Sequence, residues 1–106
     1  MGETMVRHIV VFKYKSSATS EQIQTVTDAF AALKDLIPGI IAFEHGPNTS
    51  PEGKDLGFTH VYQLTFTDAA ARDAYLPHPD HQKFGETLRN SGIFEDVFVV
   101  DYEPEA

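Results

Sequence analysis

Apolar and polar side chains alternate along residues 5–15 (MVRHIVVFKYK), which are rich in β-branched and aromatic types. This period of two predicts a β-strand. Two sets of side chains result, with His8, Val10, Phe12 and Tyr14 on one face and Ile9 and Val11 on the other. Because both faces are apolar in the middle, we expect both to be covered.

The next segment has the spacing of an amphipathic helix. Thr19 followed by Gln22 makes a capping box, and Pro38 and Gly39 end the repeat. Between them, apolar residues recur three and four positions apart: Ile23, Val26, Phe30, Leu33 and Ile37. The pattern predicts one helix of about five turns.

Further elements follow in the same way, and they complete one domain over residues 1–106. The sequence predicts strands at residues 40–45, 59–66 and 97–102, a long surface loop at 46–57, a helix at 69–76 capped by Asp68, and a helical piece at 80–89. The order β-α-β-β-α-β is that of the ferredoxin-like α+β fold, a four-stranded antiparallel sheet with both helices on one face.

That fold leaves one face of the sheet uncovered. Soluble monomers rarely expose a large apolar surface, and here the strands are apolar on both faces. We therefore expect a second copy of the chain to cover the open face, forming a homodimeric α/β barrel.

Composition limits the classes of molecule that the protein is expected to bind. Sixteen acidic and eight basic residues give a net charge of −8, which disfavours nucleic acid, and no apolar run is long enough for a membrane helix. Cysteine is absent, so disulfides and thiolate chemistry are excluded. We expect a cytoplasmic protein that binds neither nucleic acid nor membrane.

Titratable side chains cluster around residues 75–81 (YLPHPDH). There His81 can act as a general base, and Tyr75 can donate a hydrogen bond to a developing enolate. A structural alternative is that His78 and Pro79 shape the turn while His81 caps or packs. A metal site is a weaker interpretation, because His78, Asp80 and His81 show no further ligand at a suitable spacing.

Two more histidines lie on strands. His8 and His60 belong to the first and third strands, which are adjacent in this fold, so whether their rings meet depends on register. They either supply polar groups to an apolar cavity or make structural hydrogen bonds.

Several segments together resemble the stress-responsive α/β-barrel (Dabb) family over nearly the whole chain. They are HIVVFKYK at 8–15, LIPGI at 36–40, GFTHVYQLTF at 57–66, YLPHPDHQKFG at 75–85 and VFVVDY at 97–102. The resemblance implies a dimeric barrel, but the family hosts more than one activity.

Within the family the chain is similar to a plant polyketide cyclase, a cofactor-free enzyme that closes a linear polyketide by an aldol reaction. This resemblance implies catalytic roles for Tyr75 and His81 and pocket positions for His8 and His60. Phe30 stands where the cyclase has a tyrosine, so the same substrate is not implied.

Two functions remain open from the sequence. The first is a homodimer whose small apolar cavity binds or cyclises a carbonyl compound by His/Tyr acid–base chemistry, without cofactor or metal. Its catalytic residues would be His81 and Tyr75, and its substrate-binding residues His8, His60, Phe30 and His78. The alternative is a non-catalytic, stress-related structural or assembly protein. Convergence of His8, His60, Tyr75 and His81 on one cavity would favour the first.

Overall fold

Four strands form one antiparallel sheet with the helices against it, in a computed structural model that describes residues 4–106. The elements are β1 (Val6–Tyr14), α1 (Ser20–Ala31), α2 (Leu33–Leu36), β2 (Ile40–Pro47), β3 (His60–Phe66), α3 (Ala69–Tyr75), α4 (Pro79–Asn90) and β4 (Phe94–Tyr102). The strand order is β2-β3-β1-β4, so β1 and β3 are central. The predicted ferredoxin-like α+β fold is confirmed.

The first helical segment differs from the prediction of one continuous helix. It divides at Ala32 into α1 and α2. The Asp35 N–H donates to the Ala32 carbonyl three residues back, at 3.2 Å, which is the tighter bonding of a 3₁₀ turn. The apolar stripe survives the division, since Phe30, Leu33 and Ile37 are all buried.

Helix starts follow the local sequence. Thr19 and Gln22 form the predicted capping box of α1, and the Asp68 side chain accepts a 2.7 Å hydrogen bond from the Ala71 N–H at the start of α3. Pro79 occupies the first turn of α4, where its missing N–H costs nothing.

Alternation along β1 separates the two faces of the sheet as predicted. Every second residue from Val6 to Tyr14 is buried beneath the helices, and the residues between them are only partly buried. The main core cluster comprises Val6, Val10, Phe12, Tyr14, Val26, Phe30, Leu33, Ile37, Ile40, Tyr62, Leu64, Phe66, Tyr75, Phe84, Leu88 and Ile93.

The opposite face carries a continuous apolar surface, which we call the open-face patch. It consists of Ile9, Val11, Val61, Phe98, Val100 and Tyr102, which the strand register places side by side. Val61 is 36% exposed, Phe98 45%, Val100 52% and Tyr102 49%. The sheet is therefore apolar on both faces, and the helices cover only one of them.

The turn before β2 requires a glycine at position 39. Gly39 has φ +96°, and a Cβ built there would lie 2.6 Å from the Ala71 Cβ on α3. Its missing side chain lets α3 approach the turn closely.

Within the described part of the chain, no helix is both long and apolar enough to cross a membrane.

Candidate active site

A cavity of about 340 Å³ lies between the sheet and the α3–α4 segment. Its lining is largely apolar and includes Val97 and Val99 of the edge strand β4, both partly exposed. The remaining lining residues are His8, Val10, Phe12, Phe30, Tyr75, Leu76, His81, Phe84, Gly85 and Leu88. Two histidines and a tyrosine therefore face a space of the size and character of a small-molecule site.

His81 projects from the first turn of α4 onto the ring of Tyr75. The two ring centroids are 4.3 Å apart. His81 Nδ1 lies 2.9 Å from the Leu76 carbonyl oxygen, and a carbonyl can only accept, so Nδ1–H is the donor. In the neutral ring this leaves Nε2 unprotonated, as a general base requires.

Tyr75 stands at the end of α3 and is 1% exposed. Burial raises the pKa of its hydroxyl well above the usual range, because the phenolate would be poorly solvated. Tyr75 is therefore a neutral phenol that donates rather than a base. Burial accounts for this pKa shift without a hydrogen-bond partner among residues 4–106, so the hydroxyl is available to an oxygen of a bound compound.

His8 approaches Tyr75 from the sheet. Its ring meets the Tyr75 ring edge-on at 5.7 Å, and His8 is 4% exposed. Burial is the main cause that lowers the pKa of His8, with a hydrogen bond to Asp101 acting in the opposite direction. His8 is therefore held in the neutral form at physiological pH.

Asp101 on β4 connects His8 to α3. One carboxylate oxygen lies 2.7 Å from His8 Nδ1, and the other accepts a 2.8 Å bond from Arg72 Nη1. Arg72 also bonds its neighbour Asp73 at 2.7 Å through Nε.

The structure brings His8, Phe30, Tyr75 and His81 to one cavity. Phe30 forms part of the wall, stacked on Phe84 with ring centroids 4.5 Å apart. These are four of the six residues that the sequence singled out.

His60 lies elsewhere. The β1–β3 register pairs His8 with Leu64 and His60 with Phe12, which separates the two histidines by four positions, about 13 Å. The His60 ring instead contacts Tyr14, with centroids 5.0 Å apart, and its Nδ1 lies 2.9 Å from the Thr59 hydroxyl. Its position outside the cavity does not support the expected role in substrate binding.

His78 caps α4 rather than facing the cavity. Its Nδ1 accepts a hydrogen bond from the Asp80 N–H at 3.1 Å, the function that Ser, Thr, Asp or Asn usually performs at this position. The structural alternative from the sequence gave His78 a role in shaping the turn and considered capping only for His81. Among residues 4–106, no three His, Asp or Glu side chains are grouped so as to hold a metal ion.

Asp101 and Arg72 are the site residues that the sequence did not reveal. They lie 93 and 64 positions from His8, and only the pairing of β4 with β1 brings Asp101 opposite His8. The available signal was an acidic residue that directly follows the apolar run 97–100 on a predicted strand.

Comparison with known sequences identifies the family. The model of the stress-responsive A/B barrel domain (Dabb) matches residues 6–104, so this chain belongs to that family. It is 31% identical to the stress-response A/B barrel domain-containing protein HS1 of Arabidopsis thaliana over 93% of this chain and 89% of that protein. It is 28% identical to olivetolic acid cyclase of Cannabis sativa, over 93% and 96% respectively.

Solved structures agree with this assignment. A hydroxynitrile lyase from Passiflora edulis superposes with a TM-score of 0.85 at 27% identity, covering 96% of this chain and 94% of the lyase. A dimeric ferredoxin-like protein from Jannaschia sp. CCS1 superposes with a TM-score of 0.78 at 33% identity, covering 94% and 99%. The fold therefore occurs in a lyase and in a dimeric protein of unknown function.

Proposed function

We propose that this protein is a homodimeric, cofactor-independent acid–base catalyst of the cyclase or lyase type. Its substrate is a small, largely apolar carbonyl compound of polyketide-like character. Similarity to olivetolic acid cyclase and to a hydroxynitrile lyase supports this class of reaction.

One observation carries the proposal: a base and a hydrogen-bond donor adjoin each other in a cavity with few other polar groups. His81 presents an unprotonated Nε2, and Tyr75 presents a phenolic hydroxyl whose ring lies 4.3 Å from the imidazole. The walls of the cavity are largely apolar, and hydrogen bonds to a developing charge are stronger in such surroundings than in water.

The chemistry follows from those two groups. His81 Nε2 removes a proton from the carbon next to a carbonyl, and the Tyr75 hydroxyl donates a hydrogen bond to the enolate oxygen that forms. The enolate carbon then attacks a second carbonyl in the same molecule. This attack forms the carbon–carbon bond that closes the ring, and the proton held by His81 then passes to the resulting alkoxide, which regenerates the base.

The homodimer is supported by the open-face patch and by the dimeric Jannaschia relative. A second copy placed on the patch would remove its six apolar side chains from water. Because the patch and the cavity lie on opposite faces of the sheet, the dimer and the site can be tested separately.

The test is turnover of a panel of aromatic and β-keto compounds, followed by mass-resolved chromatography. We expect His81→Ala to reduce the rate at least about 100-fold with the fold intact, because it removes the base. Tyr75→Phe should reduce it less, since the ring packing remains. His45→Ala is the matched control, because His45 lies on β2 outside the cavity and contacts Tyr62 instead.

Two results would contradict the proposal. One is His81→Ala retaining full turnover, and the other is wild-type protein that converts none of the panel. The second result would favour the non-catalytic stress-related function. A cytoplasmic location and the absence of a nucleic-acid partner remain expectations, to be checked by cell fractionation and by electrophoretic shift with DNA and RNA.

A further inference from the structure

Asp101 joins two parts of the candidate site that are distant in the sequence. One of its carboxylate oxygens lies 2.7 Å from Nδ1 of His8 on β1, and the other accepts a 2.8 Å hydrogen bond from Arg72 on α3. Arg72 precedes Tyr75 by one helical turn, so the ion pair also ties the helix that carries Tyr75 to the strand beside His8.

We propose that Asp101 and Arg72 are positioning residues that hold His8 in the tautomer with Nδ1 protonated and Nε2 free, giving the cavity a second proton acceptor beside His81. The catalytic use of this acceptor rests on the proposed function. The tautomer itself does not.

The donors and acceptors around Asp101 determine the tautomer of His8. A guanidinium has only donors, so Arg72 requires an acceptor at Asp101 and keeps that side chain a carboxylate. A carboxylate offers only acceptors to His8, so the Nδ1 of His8 must carry the proton. Since His8 is 4% exposed, water does not compete effectively for this hydrogen bond.

Two acceptors and one donor define the ligand more narrowly than a cavity alone. The Tyr75 hydroxyl would donate to a carbonyl oxygen of the ligand. The free Nε2 atoms of His81 and His8 would each accept one acidic hydrogen. A compound with an enolisable carbonyl and a further enol or hydroxyl hydrogen satisfies all three groups.

Asp101→Asn tests the proposal with almost no change in shape. Arg72 still requires an acceptor, so the new amide turns its oxygen toward Arg72 and its NH₂ toward His8. An NH₂ group facing Nδ1 forces His8 into the opposite tautomer, with the proton on Nε2.

A second substitution should reverse that effect. In the double variant Arg72→Met/Asp101→Asn the amide is free to turn, and its oxygen can again accept from His8 Nδ1. Arg72→Met alone leaves the carboxylate opposite His8 and should keep the original tautomer.

The readout is ¹⁵N NMR of the His8 ring at a pH where it is neutral. We expect a protonated Nδ1 in the wild type, in Arg72→Met and in the double variant, and a protonated Nε2 in Asp101→Asn. A wild-type ring with Nε2 protonated, or an Asp101→Asn ring unchanged from the wild type, would overturn the assignment.

Titration of the same signals gives a second readout. His8 is faced by Asp101 from β4, by Arg72 and Tyr75 from α3 and by His81 from α4. Asp101→Asn removes the two contributions of Asp101 that raise the His8 pKa, so that pKa should fall below the wild-type value. An unchanged or higher pKa would contradict the proposed interaction.

Measurements of kcat distinguish whether catalysis uses the free Nε2 of His8 from whether His8 adopts this tautomer. On any compound that the wild type converts, Asp101→Asn should lower kcat by on the order of 100-fold, with recovery in the double variant. Unchanged kcat together with a switched tautomer would overturn the second-acceptor role. If no compound is converted, the proposed function fails, and the NMR result still decides whether Asp101 and Arg72 set the tautomer.

Discussion

Replacing Phe98 by alanine should weaken the proposed homodimer without unfolding the protomer. Phe98 is central in the open-face patch, paired with Val11 across the β1–β4 ladder. It is 45% exposed and makes one edge-on contact with Phe58, at 4.9 Å between ring centroids. The exposed part of the Phe98 side chain is therefore free to be buried against a second protomer.

The magnitude follows from that exposure. Complete burial of a phenylalanine contributes about 1.5–3 kcal/mol, so burying the exposed 45% contributes about 1 kcal/mol. A symmetric dimer contains the residue twice, which doubles the loss to about 2 kcal/mol. The dissociation constant should therefore rise about 30-fold. Phe98→Asp should abolish the dimer, because it would place two unpaired charges in the interface.

Sedimentation velocity over a dilution series measures this constant. Leu36→Ala is the matched control, because Leu36 is 55% exposed but lies on α2, in the helix layer. Its dissociation constant should equal that of the wild type. If Phe98→Ala has the same constant as Leu36→Ala, or if the wild type is monomeric at micromolar concentration, the open-face patch is not a dimer interface.

Three further predictions concern stability and the roles of individual residues. Gly39→Ala should lower the free energy of unfolding by about 1–3 kcal/mol, because it combines a left-handed backbone with a 2.6 Å contact to Ala71. Gly53→Ala, at φ +72° with open space around it, should cost less in the same urea titrations, and equal losses would contradict the steric argument. Because burial lowers the His8 pKa below 6.5, the unfolded chain takes up this proton first, so stability should fall as pH drops below about 6.5. His8→Asn should flatten part of that dependence between pH 7.5 and 5, and an unchanged slope would refute the shift. His78→Asn should keep both stability and turnover, whereas His78→Ala should lose about 1 kcal/mol in thermal unfolding through the lost helix cap. Reduced turnover in His78→Asn would indicate that His78 binds the substrate, as the sequence predicted.

Local patterns predicted the order and most of the elements of the fold. The alternation from His8 to Tyr14 assigned β1 and both of its faces, because strand side chains alternate strictly. Thr19 and Asp68 marked two helix starts through hydrogen bonds made within three residues. The division at Ala32 was not predicted, because a 3₁₀ turn retains nearly the same apolar spacing as an α-helix.

The candidate site was only partly predictable, because it depends on register. Tyr75 and His81 are six residues apart, and their joint position follows from one turn between two helices. The offset of His60 from His8 is set by how β3 pairs with β1, which the residue types alone do not reveal. Asp101 was not predicted for the same reason, because its contact with His8 depends on strand pairing across 93 sequence positions.

The catalytic role of the Tyr75–His81 pair is tested most directly by a crystal structure of the protein bound to a slowly reacting β-keto compound. The compound should occupy the cavity between the sheet and the α3–α4 segment. Its carbonyl oxygen should lie within hydrogen-bond distance of the Tyr75 hydroxyl, and its acidic carbon should face His81 Nε2. A compound that binds elsewhere, or one that occupies the cavity with its carbonyl turned away from both Tyr75 and His81, would contradict the catalytic role of this pair.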